Sequence, residues 1–381
     1  MENSKPEIAI WEDEYRGHNL AFVEILIRYI SEKTKKPVLF FSSKAAFQSE
    51  AYQVYLKPLE RWFIPGTVSE KHNVGKAWEI WGRFGEIEKE LKNKGIHCLI
   101  VSTADSLART LGLAHLIGWK PKDLEIRCLL MYLGIAYAGR NGLSRLRDRV
   151  SFWLKRQAPI RASYLDQWAV EKVLEKTGIS LTTCPEPPYC LAEYLRDRPI
   201  RKKLGNGENI CFGFPGGARF GDRKGPDLLI DAFLKADLPS NTQLVFAGPF
   251  SDPPLLEKFK QAQAKLGGRF QVFNGFLKTK ELFSAVDQMD LVCLPYRSHI
   301  GTSAFFTQSA TLGKVILASD YGWLGWAGRK YNKTIFFEND SELSLSKSLE
   351  KAALEFSRMD SIASNYSPAA EEDFARVVAG F

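Results

Sequence analysis

Two stretches of this sequence set cations and hydroxyls beside the opening of a helix. In "GFPGGARFGDRKGPDLLI" (213–230) an apolar run ends in glycines. Three cations follow, Arg219, Arg223 and Lys224, and Gly225 leads into helical spacing. Flexible backbone with guanidinium and ammonium groups at a helix start suits phosphate oxygens, because the first amides lack intrahelical partners and the peptide dipoles favour an anion. In "PYRSHIGTSAFFTQSATLGKVILASDYG" (295–322), His299, Gly301, Thr302 and Ser303 precede or begin a second helix. Its amides, hydroxyls and imidazole can converge on another phosphate. Each stretch alone also reads as ordinary structure, a solvated loop in one case and an N-capped helix with a surface histidine in the other. Found together in one half of the chain, they share one explanation: a diphosphate bridged between two helix starts.

The N-terminal half offers two further candidates. Gly17-His18, in "EDEYRGHNLAFVEIL" (12–26), stands at the opening of the first helix. An imidazole ordinarily titrates near neutral pH, which suits a general base for a hydroxyl; a helix-terminus histidine without a chemical role is the other reading. Asp105, in "VSTADSL", follows a strand and is either a ligand-facing carboxylate or a helix cap. No Asp-x-Asp pair is present, so we expect neither a metal nor a separate cofactor, with cations and amides neutralising the anion. The six cysteines are scattered without a CxxC, and several lie in strand-like runs. Buried thiols in a reducing cytoplasm fit that spacing better than disulfides or zinc.

These residues need elements to hold them. A length of 381 residues exceeds one comfortable core. Buried-strand runs at 7–12, 37–43, 61–66, 97–103 and 126–133 alternate with helical patterns such as 18–33. After the prolines of 185–188 the alternation restarts, with strands at 209–216, 242–250, 270–277, 290–296 and 314–320. The chain therefore reads as α/β, two Rossmann-like, doubly wound domains facing a central cleft. The expected boundaries are 1–185, a linker at 186–208, 209–360, and a terminal helix within 361–381. "YGWLGWAGRKY" (321–331) reads as a loop carrying two tryptophans.

Of the formal charge of +8, +6 falls between Arg140 and Arg161, where seven basic residues meet one acid. That segment, 142–161, has Leu143, Leu146, Val150, Trp153 and Leu154 near one helical face. It reads either as a helix lying on an anionic membrane surface or as one packing its apolar stripe on the sheet. Elsewhere the chain is nearly neutral, which argues against nucleic acid. No apolar run is long enough to span a bilayer and the start lacks a secretory pattern, so the expected location is cytoplasmic, peripheral on the inner membrane face if the basic helix is a docking element.

"RFGDRKGPDLLIDAF", "VFAGPF" and "FNGFLKTKELFSAVDQMDLVCLPYRSHIGTSAFFTQSATLGKVILASDYG" resemble the donor half of GT-B-fold glycosyltransferases, most closely family 4. The likeness spans roughly 209 to 355; in the N-terminal half it extends only to the order of strands and helices. It implies transfer of a sugar from a UDP- or GDP-linked donor to a glycan, lipid-linked or small-molecule acceptor. Arg219, Arg223 and Lys224 would hold the diphosphate, Gly275 to Leu277 would face the base, and the Gly301-Thr302-Ser303 turn would bind phosphate. The family's two glutamates, eight residues apart, fall here on Ile300 and Gln308. Gln308 retains a hydrogen-bonding group for a ribose hydroxyl but no charge. His299 beside Gly-Thr-Ser is similar to the His-Cys-Gly loop of inverting family 1 enzymes, and Gly17-His18 to the position of their base. Two alternatives follow: an inverting enzyme with His18 as base, or a GT-B protein that has lost catalysis and serves as a binding or scaffold subunit. The resemblance also implies that the C-terminal helix crosses back to the first domain.

Overall fold

"VLFFS" (Val38–Ser42) is apolar along nearly its whole length and buried at every position. That is the mark of an inner strand in a parallel sheet covered by helices on both faces. The computed structural model describes residues 5–15, 19–70, 77–137, 142–187, 209–275, 277, 279–367 and 371–381. The chain divides into two units, residues 1–189 with 369–381, and residues 190–368.

In the first unit β1 (Ile8–Trp11), α1 (Asn19–Thr34) and β2 (Val38–Ser42) are followed by α2 (Lys44–Phe47), α3 (Glu50–Tyr55), β3 (Phe63–Thr67) and α4 (Ala77–Lys94). Then come β4 (Cys98–Val101), α5 (Asp105–Leu116), β5 (Glu125–Leu130), α6 (Gly142–Gln157), β6 (Arg161–Tyr164), α7 (Gln167–Thr177) and β7 (Thr182–Thr183). The seven strands are ordered β3-β2-β1-β4-β5-β6-β7 and every pairing is parallel. Ala9 lies between Leu39 and Leu99. Strand order reverses between β1 and β4, so the loops leaving those two strands diverge and open a crevice. Asp166 caps α7 by accepting from the Ala169 amide at 2.9 Å, and left-handed Gly178 ends it.

The second unit repeats the scheme with β8 (Ile210–Pro215), α8 (Pro226–Lys235), β9 (Thr242–Gly248), α9 (Pro253–Leu266), β10 (Phe270–Asn274) and α10 (Thr279–Gln288). It continues with β11 (Leu291–Leu294), α11 (Ala304–Thr311), β12 (Val315–Ser319), α12 (Gly322–Lys330), β13 (Thr334–Phe337) and α13 (Glu342–Ser361). The sheet order is β10-β9-β8-β11-β12-β13, again parallel, with its reversal between β8 and β11. Phe246 anchors the core, its ring 4.9 to 5.9 Å from those of Phe214, Phe250, Phe259 and Phe270. Helix α14 (Glu371–Ala379) belongs to the first unit, where Phe374 stacks on Phe22 of α1 at 5.2 Å.

Two readings of the sequence change. The segment 321–331 is not a loop: it forms α12, with Trp323 buried edge-on against Phe306 at 5.7 Å. Leu324 and Ala327 complete the buried face at helical spacing. Helix α6 does not lay its apolar stripe on the sheet. It buries Asp148, Ser151, Phe152 and Lys155 and leaves Leu143, Leu146, Val150 and Trp153 exposed.

Candidate functional site

The two loops that leave the reversal point of the second sheet are laced together. Gly225, at φ 64°, stands where a Cβ would lie 2.1 Å from the Pro295 carbonyl oxygen, so only glycine permits the approach. The Arg297 amide donates to the Arg223 carbonyl at 2.7 Å. The Arg297 guanidinium grips both carboxylate oxygens of Asp227, at 3.0 and 2.8 Å, and its Nε donates to Asp340 at 2.8 Å. Burial disfavours a charged Asp227, but this fork and the Gly221 amide hold its carboxyl below the usual range. The Ser298 amide donates to Asn339 at 2.8 Å, tying the loop to the end of β13.

This lattice holds the cations of the first motif in place. Lys224 donates to the Gly217 carbonyl at 2.8 Å and lies 5.9 Å from the Phe305 ring, at the start of α11. Burial, with Arg223 adding to it and Asp222 opposing, pulls its ammonium below the ordinary lysine range. A bound anion would reverse that shift. Arg219 and Arg223 are exposed on the same turn. Ser303 caps α11 by accepting from the Phe306 amide at 3.3 Å. Among the described residues the amides of Ala304 and Phe305 find no acceptor, which leaves donors at the helix's open end. Gly301 takes φ 94° in the preceding turn.

His299 donates from Nε2 to the Thr302 carbonyl at 3.0 Å and tilts against Tyr296 at 4.9 Å. Its Nδ1 has no partner among the described residues. Burial, helped by Arg223 and Lys224 and opposed by the Thr302 bond, lowers its pKa to about 4. The ring is therefore neutral near pH 7 and presents Nδ1 as an acceptor, which suits a hydroxyl better than a phosphate oxygen. Tyr296 is pushed up to about 12 by burial, against a hydrogen bond from Ser303. Gln308 is buried on α11 with Oε1 unpartnered among the described residues. The Gly275 amide donates to the Gly248 carbonyl at 3.1 Å, and Leu277 is half-buried just beyond. Lys224, His299, Thr302 and Ser303 thus share one end of one sheet, with Gly275 and Leu277 beyond the end of its edge strand β10, one strand removed from β8.

At the reversal point of the first sheet the sequence reading omitted a residue. Glu12 leaves β1 buried and accepts from Thr103 Oγ1 at 2.5 Å, Ser102 Oγ at 2.7 Å and the Glu14 amide at 2.7 Å. Burial outweighs these bonds and raises its pKa to about 7. An acid in a run of acids, "WEDEY", gives no hint of such burial. Asp105 does not cap its own helix: it accepts from the Met131 and Tyr132 amides at 2.8 and 3.2 Å and pairs with buried Lys155. It pins the end of β5. Gly17 and His18 lie outside the described residues, as does most of the expected linker, 188–208. Arg297 and Asp227 were also missed, because a guanidinium and a carboxylate 70 residues apart carry no local pattern.

Residues 200–366 match the family model for glycosyl transferases group 1. The fold is GT-B. Among solved structures, Anabaena Alr3699/HepE in complex with UDP is 11% identical, covering 98% of this chain and 95% of that one at a TM-score of 0.62. WaaG, a glycosyltransferase involved in lipopolysaccharide biosynthesis, is 16% identical, covering 98% and 100% at 0.63. Sucrose-phosphate synthase from Thermosynechococcus elongatus is 13% identical, covering 99% and 94% at 0.67. No curated protein matches the chain in sequence. The laced loops and α11 all fall inside the GT-B segment that the family model covers.

Proposed function

We propose that this GT-B chain is a metal-independent glycosyltransferase that binds a UDP- or GDP-linked sugar through its second unit and transfers the sugar to an acceptor hydroxyl. One observation carries the reading. A half-buried lysine, two arginines and an unpaired helix start meet where the sheet order reverses, within the segment that matches glycosyl transferases group 1. The UDP held by the HepE structure supports uridine as the first base to test.

In this mechanism Lys224, Arg219, Arg223 and the α11 amides bind the diphosphate and offset the charge that grows on it as the glycosidic bond breaks. The backbone of Gly275 and Leu277 borders the base, and Gln308 Oε1 accepts from a ribose hydroxyl. Gly301, Thr302 and Ser303 shape the phosphate turn. His299, neutral, accepts from a hydroxyl of the donor sugar rather than from phosphate. His18 takes the acceptor proton, while Asp105 serves the first unit by holding β5 in place. The acceptor is a glycan, lipid-linked or small-molecule alcohol. The likeness to family 4, with Ile300 and Gln308 where two glutamates stand, motivates a second reading: binding without turnover. The described cysteines are all free, which supports a reducing, cytoplasmic location.

Thermal shift against UDP, GDP, ADP and their sugars tests the donor side. A nucleoside diphosphate should raise the melting temperature of the wild type, and Lys224→Ala should abolish the rise. Failure of every nucleotide to bind would refute the proposal. Turnover of any sugar nucleotide removes the scaffold reading, and loss of transfer in His18→Ala with binding intact assigns the base.

A further inference from the structure

Helix α6 is inserted with its polar side inward. Asp148, Ser151 and Lys155 are 3%, 7% and 4% exposed, whereas Leu143, Leu146, Val150 and Trp153 are 82%, 60%, 47% and 50% exposed. Two of the buried polar groups are tied down within the unit: Tyr132 donates to Asp148 Oδ1 at 3.0 Å, and Lys155 reaches Asp105 and the Tyr132 carbonyl. The inversion is therefore a built arrangement, and burying the stripe is not what holds the helix.

At about 100° per residue, the exposed apolar groups form one band. Arg145, Arg149 and Arg156 border it on one side and Arg147 on the other. All four arginines are exposed, and none is ion-paired among the described residues. A 360 Å³ cavity runs along the band, lined by Leu143, Leu146, Val150 and Leu154 with Arg109 and Arg147. The neighbouring α5, packed against α6, ends with Leu113, Leu116 and Ile117 exposed. Such a surface is costly in water and exceeds the scattered apolar groups a soluble face carries. A second protein surface would need carboxylates matched to each guanidinium. A bilayer of acidic lipids supplies apolar depth and a continuous sheet of phosphate charge together.

We propose that the α5–α6 face of the first unit docks on an anionic lipid bilayer. The stripe enters the headgroup boundary, Arg145, Arg149 and Arg156 meet lipid phosphates, and the trough between Arg109 and Arg147 takes one acidic lipid with its chain along the leucines. The inference deepens the acceptor side of the proposed transfer, since a lipid-linked acceptor would be met at this face. It does not depend on catalysis.

Co-sedimentation with phosphatidylglycerol–phosphatidylcholine vesicles, against phosphatidylcholine alone, tests it on the full chain. The wild type should pellet with the acidic vesicles and be released by salt. Arg145→Glu with Arg149→Glu, and separately Leu146→Gln with Trp153→Gln, should each lower the partition coefficient about tenfold or more. Melting curves and the nucleotide thermal shift of both variants should match the wild type, so loss of donor binding and loss of docking are read separately. Absence of pelleting, equal pelleting with neutral vesicles, or unchanged binding by the variants overturns the proposal. So does a dimer in solution that the Leu146/Trp153 variant splits.

Discussion

Glu12, buried, and His299, half-buried, are two titratable side chains whose shifts act on stability in opposite directions. Glu12 is held protonated up to about pH 7, from an ordinary 4.5, so its share of stability is complete below 4.5 and is lost as pH rises through 7. His299 is held neutral down to about pH 4, from an ordinary 6.5, so its share is present above 6.5 and is lost as pH falls through 4. Each shift corresponds to about 3 kcal/mol. Between pH 4.5 and 6.5 the two slopes cancel, and wild-type urea midpoints should change little there. Glu12→Gln should flatten the alkaline decline and expose the histidine's acid limb. Unchanged midpoint-against-pH curves in Glu12→Gln would show that the carboxyl is ordinary. Gly225→Ala belongs to this scale too. The residue needs a left-handed backbone and has the Pro295 oxygen 2.1 Å from any added Cβ. We expect a loss of about 2 kcal/mol or more, together with loss of nucleotide binding; a variant that melts and binds as the wild type does would contradict the packing described.

Among elements, the laced loops depend on the fork between Arg297 and Asp227, which joins the loop after β11 to the first turn of α8. Removing Asp227 leaves the half-buried Arg297 guanidinium with Asp340 as its remaining carboxylate, so Asp227→Ala should cost about 1–3 kcal/mol and weaken nucleotide binding. A double variant, Asp227→Ala with Arg297→Ala, should recover part of that loss in urea titration. How far such elements can be read from sequence depends on what marks them. The inner strands announce themselves because a strand covered on both faces is apolar at nearly every position, as in "VLFFS". The edge strands β7 and β13, and β6 beside the first of them, are short, and β6 and β7 carry polar residues, so they give no such run. Helix α12 hides behind three glycines, at 322, 325 and 328. One of them is there for packing, since a Cβ on Gly328 would meet the Phe336 ring at 2.7 Å. At the site, Lys224 and the α11 turn were legible because glycine, cation and cap sit together in sequence. Glu12 was not, because its hydroxyl donors, Ser102 and Thr103, lie 90 and 91 residues away.

The molecule as a whole uses one strand order twice, with each reversal point carrying polar groups, and it assigns the chain's last helix to the first unit. Phe374 is fully buried there against Phe22. Phe374→Ala should destabilise that unit by about 3–5 kcal/mol while a nucleotide still shifts the melting of the second; calorimetry with and without UDP would separate the two responses. The placement of α14 also sets an order of events during synthesis. A ribosome delivers residues 190–368 as one continuous stretch, free to collapse on emergence, whereas the seven-stranded unit that emerged before it waits for its closing piece until residues 369–381 leave the exit tunnel. What is translated first is completed last, so a stalled or clipped nascent chain would carry an unsealed apolar groove along α1 and be a natural client for chaperones.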